Sequence, residues 1–187
     1  MCKAIEEVFK HYVENRRWVE PFWDGERNVE IEGEVIKLPR NPKIETKIQP
    51  TIFVILDIIL SEMGISVIKE SDEGIGLLDF KCSYTTLEGV LLSIPIEFKV
   101  AHHKNLHHGF EKQLPAYLKA MKSSNGIFAV MWFKDEKAEY YSKPNGDVDT
   151  FSVEVKEKCD KTSEKLDCNI VLIVIDASIK VSASKIF

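Results

Sequence analysis

Two short, almost unbroken apolar runs, GIFAVMWF at 126–133 and NIVLIVIDAS at 169–178, restrict this chain's fold more than any other feature. Consecutive strand residues point to opposite faces of a sheet, so a run that is apolar throughout needs cover on both sides. The first run follows a helical stretch at 110–122, and helix-then-strand implies a crossover connection. Upstream, ISVIKE, GLLDFKCSY and GVLLSIPIEFKV are rich in β-formers and are separated by the turn-like segments SDEGI and TTLEG. They predict a meander of three strands. After the KPNGDVD turn, the charged SVEVKEK segment fits helix or strand equally well. The order α, β-meander, α, β, β predicts an α/β fold with a mixed β-sheet flanked by α-helices.

The N-terminal part carries different patterning. Ile5, Val8, Phe9, Tyr12 and Val13 recur at helical spacing, predicting an amphipathic helix over 3–18. Beyond the EPFWDGE turn, NVEIEGEVIKL predicts one or two short strands broken at Gly33, and Trp18, Phe22 and Trp23 are expected to cap a core. Asn41 and Pro42 form a helix-start signature, and Ile44, Ile48, Ile52, Ile55 and Ile59 carry a buried stripe on to Gly64. Pro50 falls inside that stripe and predicts a kink or a split. A chain of 187 residues holds one substantial core, so 42–187 is expected to be the main domain and 1–41 a helix-and-strand extension. That extension is a candidate for substrate selection or dimerisation, with a homodimer or larger complex left open.

Composition narrows the function classes. The apolar run near 52–60 spans about nine residues against the roughly 20 that cross a bilayer, and the N-terminus shows no secretion signal. A cytoplasmic protein with no membrane partner is therefore expected. The four cysteines lack CxxC spacing, which disfavours a zinc ribbon or a disulfide framework. A net charge of −5 is awkward for gripping a polyanion, yet net charge reports neither the local field nor bound cations.

Glu97 and Lys99 are two apart in a predicted strand, so their side chains leave one face while Phe98 leaves the other. Asp79 sits in the preceding strand between Leu78 and Phe80, and a hairpin would bring it beside Glu97. Two converging carboxylates repel unless a cation lies between them, and hard oxygen donors select Mg²⁺ or Mn²⁺. An adjacent ammonium can stabilise charge that develops on a phosphoryl group. Charged pairs on a solvated strand face are the ordinary explanation for such residues, but here the flanking run is apolar and an unpaired carboxylate is costly.

Three motifs occur in order: Gly76-Leu77-Leu78-Asp79 (GxxD), Glu97-Phe98-Lys99 (ExK) and Gln113-Leu114-Pro115-Ala116-Tyr117 (QxxxY). Over roughly 42–135 the chain thus resembles the PD-(D/E)xK, or restriction-endonuclease-like, nucleases, in particular their RecB-like branch. The resemblance implies a restriction-endonuclease-like core, with metal held by Asp79 and Glu97 and the attacking water oriented or activated by Lys99. By the same resemblance Gln113 and Tyr117 steady the site or contact substrate, and Glu45 is similar to a further glutamate on the helix before the first strand. The implied activity is divalent-metal-dependent hydrolysis of nucleic acid, DNA above RNA, with endonuclease and exonuclease action both open. A catalytically inactive module for nucleic-acid binding or assembly is the alternative.

Several features test these readings from within the sequence. Glu45-Thr46-Lys47, Asp135-Glu136-Lys137 and Glu154-Val155-Lys156 also match an acidic-x-Lys pattern. Glu154 even follows a GxxD, Gly146 to Asp149, but only four residues intervene, too few for a strand, turn and return strand, and no QxxxY follows. Pro95 predicts a bulge or unpaired edge beside Glu97, and Pro115 requires a helix beginning near residue 112. His102, His103, His107 and His108 are expected in a solvated loop, phosphate contact being the sharper alternative and zinc the least favoured.

Overall fold

In a computed structural model, which describes residues 1–15, 18–25, 27–31, 33–38, 40–74, 76–134 and 144–179, the amphipathic start of the chain is helical. Helix α1 (Cys2–Val8) continues as a π turn, Phe9–Asn15, and together they bury Ile5, Val8, Phe9 and Val13. A short 3₁₀ turn at Glu20–Phe22 then places Phe22 and Trp23 in the same core, while Trp18 stays half-exposed. Strands β1 (Arg27–Ile31) and β2 (Glu34–Leu38) form an antiparallel hairpin turning at Gly33, whose φ of 84° suits a residue without Cβ. Among the described residues they pair only with each other.

Helix α2 spans Glu45–Ser61. The start expected at Asn41-Pro42 is displaced because those residues are engaged elsewhere: Pro42 bridges Trp23, the Asn41 carbonyl accepts from Asp24 N, and Lys43 N donates to Phe22 O. Pro50 neither splits nor ends α2. Its missing N–H frees only the Thr46 carbonyl, and both residues face solvent, where water supplies the lost partner.

The main sheet runs β3 (Ser66–Asp72), β4 (Leu77–Thr85), β5 (Leu91–Val100), β6 (Asn125–Trp132), β7 (Asn169–Asp176) in spatial as well as chain order. The first three are antiparallel and the last two join in parallel, which makes the sheet mixed. Between β5 and β6 lie α3 (Leu106–His108), a π turn at Gly109–Gln113 and α4 (Leu114–Met121). Between β6 and β7 lies α5 (Val148–Leu166), so the ambiguous charged segment is helical, capped at its start by Asp147.

Alternation along the strands divides the core in two. Phe80, Ile96, Phe98, Ile127, Ala129, Met131 and Ile173 face α1 and α2; Phe128, Val130, Trp132, Ile170 and Val174 face α3, α4 and α5. Both faces of β6 are therefore dry, which is what its unbroken apolar run demands.

The prolines settle close to expectation. Pro95 causes no bulge but does sit at an unpaired edge: it is in register with Lys81 on one side and, on the other, precedes by one residue the β5–β6 ladder, which opens at Ile96. Pro115 lies in the first turn of α4, as its missing N–H requires, although helical structure already runs from Leu106 through the preceding π turn. Widening the preceding turn to π hydrogen bonding accommodates the absent N–H and the bulk of the ring.

Candidate active site

β4 and β5 stop pairing at Phe80↔Ile96, and the next residues, Asp79 and Glu97, face the opening between the separating strands. Asp79 is freed on its other side as well. Across β3 the register passes from Lys69↔Phe80 to Ser71↔Leu78, and the intervening Glu70 adopts a φ of 54°, leaving the ladder opposite Asp79. A left-handed glutamate inside a strand is strained, and such strain persists only where surrounding structure enforces it.

Asp79 is oriented through both carboxylate oxygens. Gln49 Nε2 donates to Oδ1 at 2.8 Å and the Phe98 backbone N–H donates to Oδ2 at 2.9 Å. Glu97 and Lys99 leave β5 on one face, with the Phe98 side chain buried on the other. Lys99 Nζ lies 2.7 Å from Glu97 Oε1, 3.2 Å from Glu45 Oε1 and 4.0 Å from Asp79 Oδ2. It also donates to the Phe98 carbonyl at 3.2 Å. The Lys99–Glu97 contact is an ion pair without hydrogen-bond alignment, so Glu97 Oε1 is buried with no directed donor. Glu45 further accepts from Val100 N, which ties the first turn of α2 to the end of β5.

Gly109, in the π turn, closes this pocket from above. A Cβ there would meet Phe128 Cε2 at 2.7 Å and the Cγ atoms of Glu97 and Lys99 at 3.4 Å. Tyr117, one α-helical segment on, donates its hydroxyl to the Leu77 carbonyl at 2.9 Å and so braces the start of β4, two residues from Asp79. The first two residues of the GxxD segment meet this tyrosine differently: Gly76, at φ 136°, lies against its hydroxyl, and the Leu77 carbonyl accepts its hydrogen bond.

Burial and crowding set the electrostatics. Three carboxylates surround one ammonium in a nearly dry pocket. Desolvation and then the Asp79 charge push Glu97 up to about 7. Asp79 is raised chiefly by desolvation, against the opposing pull of Lys99 and the Phe98 N–H. Burial works against the charge on Lys99, but Glu97 and Asp79 outweigh it and hold its pKa above the ordinary lysine value. Tyr117 is raised by burial and by the same two carboxylates. Lys99 is therefore a permanent cation at neutral pH, and the cluster remains short of positive charge.

The structure thus gathers Glu45, Asp79, Glu97 and Lys99, with Tyr117 as a brace. Gln113 closes the π turn half-buried and makes no side-chain hydrogen bond among the described residues. The histidines stand apart: His102 is half-buried near Phe133, His103 Nδ1 accepts from Asn105 N, His107 packs on Phe110, and His108 is exposed. Of the rival acidic-x-Lys triplets, Glu154-Val155-Lys156 lies on α5 rather than a strand, and Asp135-Glu136-Lys137 lies outside the described residues. The four cysteines are free thiols, and burial pushes Cys82 and Cys159 up to about 12. The sequence reading passed over Gly109 and Glu70; a glycine just ahead of an apolar helix signalled the first, whereas nothing in the sequence marks the second.

Can these residues hold a divalent ion? Among the described residues no three His, Cys, Asp or Glu side chains converge into a complete ion site. Mg²⁺, however, is commonly held by one or two carboxylates and keeps several waters. Asp79 and Glu97 supply that many hard oxygens, and Glu97 Oε1 lies buried against the Lys99 ammonium at 2.7 Å with no further partner among the described residues. The donor set fits such an ion.

The chain belongs to a family described as Domain of unknown function (DUF8371), whose model matches residues 1–135. That range holds the whole carboxylate cluster and runs from α1 through β6, leaving out α5 and β7. No curated protein and no solved structure matches the chain. No helix among the described residues is long and apolar enough to cross a membrane.

Proposed function

From the charge imbalance of the cluster, we propose that this member of the family is a divalent-metal-dependent nuclease that hydrolyses phosphodiester bonds of DNA, built on a restriction-endonuclease-like core. Asp79 and Glu97 hold Mg²⁺ or Mn²⁺, which when bound supplies Lewis-acid polarisation of the scissile group. The observation that carries this reading is the excess of carboxylate over ammonium around Lys99, with Glu97 Oε1 left undirected. A purely structural ion pair needs one carboxylate for its one ammonium, whereas Lys99 has three around it, of which Glu97 is buried.

The chain's own groups divide the work. Lys99, locked in its charged form by its neighbours, places a positive charge where a phosphoryl oxygen gains negative charge and orients the attacking water. Gln49 and the Phe98 N–H hold Asp79 so that its free lone pairs stay aimed into the opening between β4 and β5. Glu45 anchors the Lys99 ammonium from the α2 side, and Tyr117 keeps the strand bearing Asp79 in place.

Plasmid DNA incubated with Mg²⁺ or Mn²⁺ should be cut by the full chain and protected by EDTA. Lys99→Ala or Asp79→Ala should each lower the rate by at least about 100-fold, the scale of losing one preorganised electrostatic group. Cutting that survives either substitution rejects this site. A chain with no cleavage and no calorimetric Mn²⁺ binding is a non-catalytic member of its family.

A further inference from the structure

On the far side of α4 from the carboxylates lies a second feature, of opposite charge. Two adjoining cavities of 640 and 440 Å³ share Glu111, Lys112 and Leu166 in their walls and together form one groove between α4 and α5. Lys112, Lys119 and Lys122 line one wall, and Lys158, Lys161 and Lys165 line the other. Glu111 and Asp167 are the acidic residues among its lining. Among the described residues none of the six ammonium groups has a carboxylate within ion-pair distance.

This segregation is written into α5. Lys158, Lys161 and Lys165 recur at i, i+3 and i+7, which keeps them on one helix face. Glu157, Asp160 and Glu164 repeat the same spacing one residue earlier, turned away by roughly 100°, and line neither cavity. A chain whose net charge is −5 has thus collected unpaired lysines along both walls of one concave surface. The α5 row climbs about 10 Å of helix axis and the Lys112–Lys122 row about 15 Å, so the groove offers two facing lines of point charges rather than a single anion pocket.

We propose that this groove binds the phosphate backbone of duplex DNA. The choice of polyanion rests on the nuclease reading above; the groove's affinity for it does not. Position supports the pairing. The π turn sets Gly109 against Glu97 and Lys99 and sends Lys112 into the groove, while α4 sends Tyr117 to the site and Lys119 to the groove. The two features are separated by one helix, about 10–12 Å across. A duplex carries one charge per about 1.7 Å of axis, so a length that spans α4 engages both surfaces at once.

The test uses the full-length protein in EDTA, a fluorescent duplex of random sequence, and anisotropy titrations at several salt concentrations. The triple substitution Lys158→Gln, Lys161→Gln, Lys165→Gln should weaken binding by at least about 10-fold and flatten the plot of log K against log salt by about 0.9 for each phosphate contact removed. Lys112→Gln with Lys119→Gln, from the opposite wall, should act in the same direction. Lys156→Gln, which breaks an exposed pair with Asp160 outside the groove, should leave affinity and slope unchanged. Melting curves matching the wild type show that the variants are folded. Wild-type affinity and slope in both groove variants would overturn the proposal, as would binding of an acidic peptide but not of duplex. A protein that binds DNA through the groove yet cuts nothing with Mg²⁺ or Mn²⁺ keeps the groove and loses the nuclease; one that cuts with no groove dependence does the reverse.

Discussion

At residue scale the cluster turns on how one ammonium is shared. Lys99 touches Glu97 and Glu45 closely and Asp79 more distantly, and Glu97 absorbs the deficit by holding its proton up to about pH 7. In the unfolded chain that carboxyl titrates near 4.5. Between those values the native state binds the proton and the unfolded state does not, so Glu97's contribution to stability is complete below about 4.5 and is lost as pH rises through about 7. In metal-free protein, urea unfolding at about pH 5 and about pH 8 should show a loss on the order of 3 kcal/mol from this group. Glu97→Gln should flatten that part of the profile. If the variant follows the wild-type slope, the buried carboxylate does not titrate in this window. Divalent cation should also raise the melting temperature of the wild type at pH 8 and leave Glu97→Gln nearly unmoved, since binding the native state alone stabilises it by mass action.

At the scale of elements, the segment from α3 through α4 serves as the lid of the site and the outer wall of the core. It passes close enough to β5 and β6 only because residue 109 lacks a side chain. Phe128 is fully buried and cannot retreat from a new methyl group, so Gly109→Ala should cost about 1–3 kcal/mol as overpacking. For a chain of this length that corresponds to a fall of roughly 2–10 °C in melting temperature. Gly25→Ala, where a Cβ meets nothing within 4 Å, is the matched control and should melt with the wild type. An unshifted Gly109→Ala would mean that the π turn has room to slide. Because Glu97 and Lys99 also line that contact, the same substitution should depress cleavage beyond what its stability loss explains.

At the scale of the whole molecule, the N-terminal segment is inseparable from the core by packing. Ile5, Val8, Phe9, Val13, Phe22 and Trp23 join the same buried cluster as α2 and the first face of the sheet. Trp23 Nε1 also donates to the Ala177 carbonyl, linking residues 154 positions apart. A fragment of residues 42–187 would uncover that face, and burying a single large aromatic is worth about 3–5 kcal/mol when it is truncated to alanine. Such a fragment should lose its cooperative thermal transition and expose dye-binding apolar surface. A fragment that melts sharply at the full-length temperature would show instead that 1–41 is a dispensable attachment.

Local pattern was enough to place most strands and to single out the candidate site residues. The doubly apolar β6 and β7, the β-former-rich runs of the β3–β5 meander with their turn segments, and Glu97 and Lys99 on one strand face follow from residue type and strand periodicity, which are properties of a few neighbouring positions. Tertiary structure alone decided the rest. Glu45 meets Lys99 across 54 positions because residues 41–43 are drawn into contacts with 22–24 and α2 begins later than its capping signature suggests. The parting of β4 from β5 at Asp79, the left-handed Glu70 opposite it and the π turn that admits Pro115 arise where distant segments compete for the same space. SVEVKEK was locally ambiguous and became helix because a parallel β6–β7 pair requires a crossover. Long-range proximity is a property of the whole packing solution, so no window of sequence short enough to show a period can contain it.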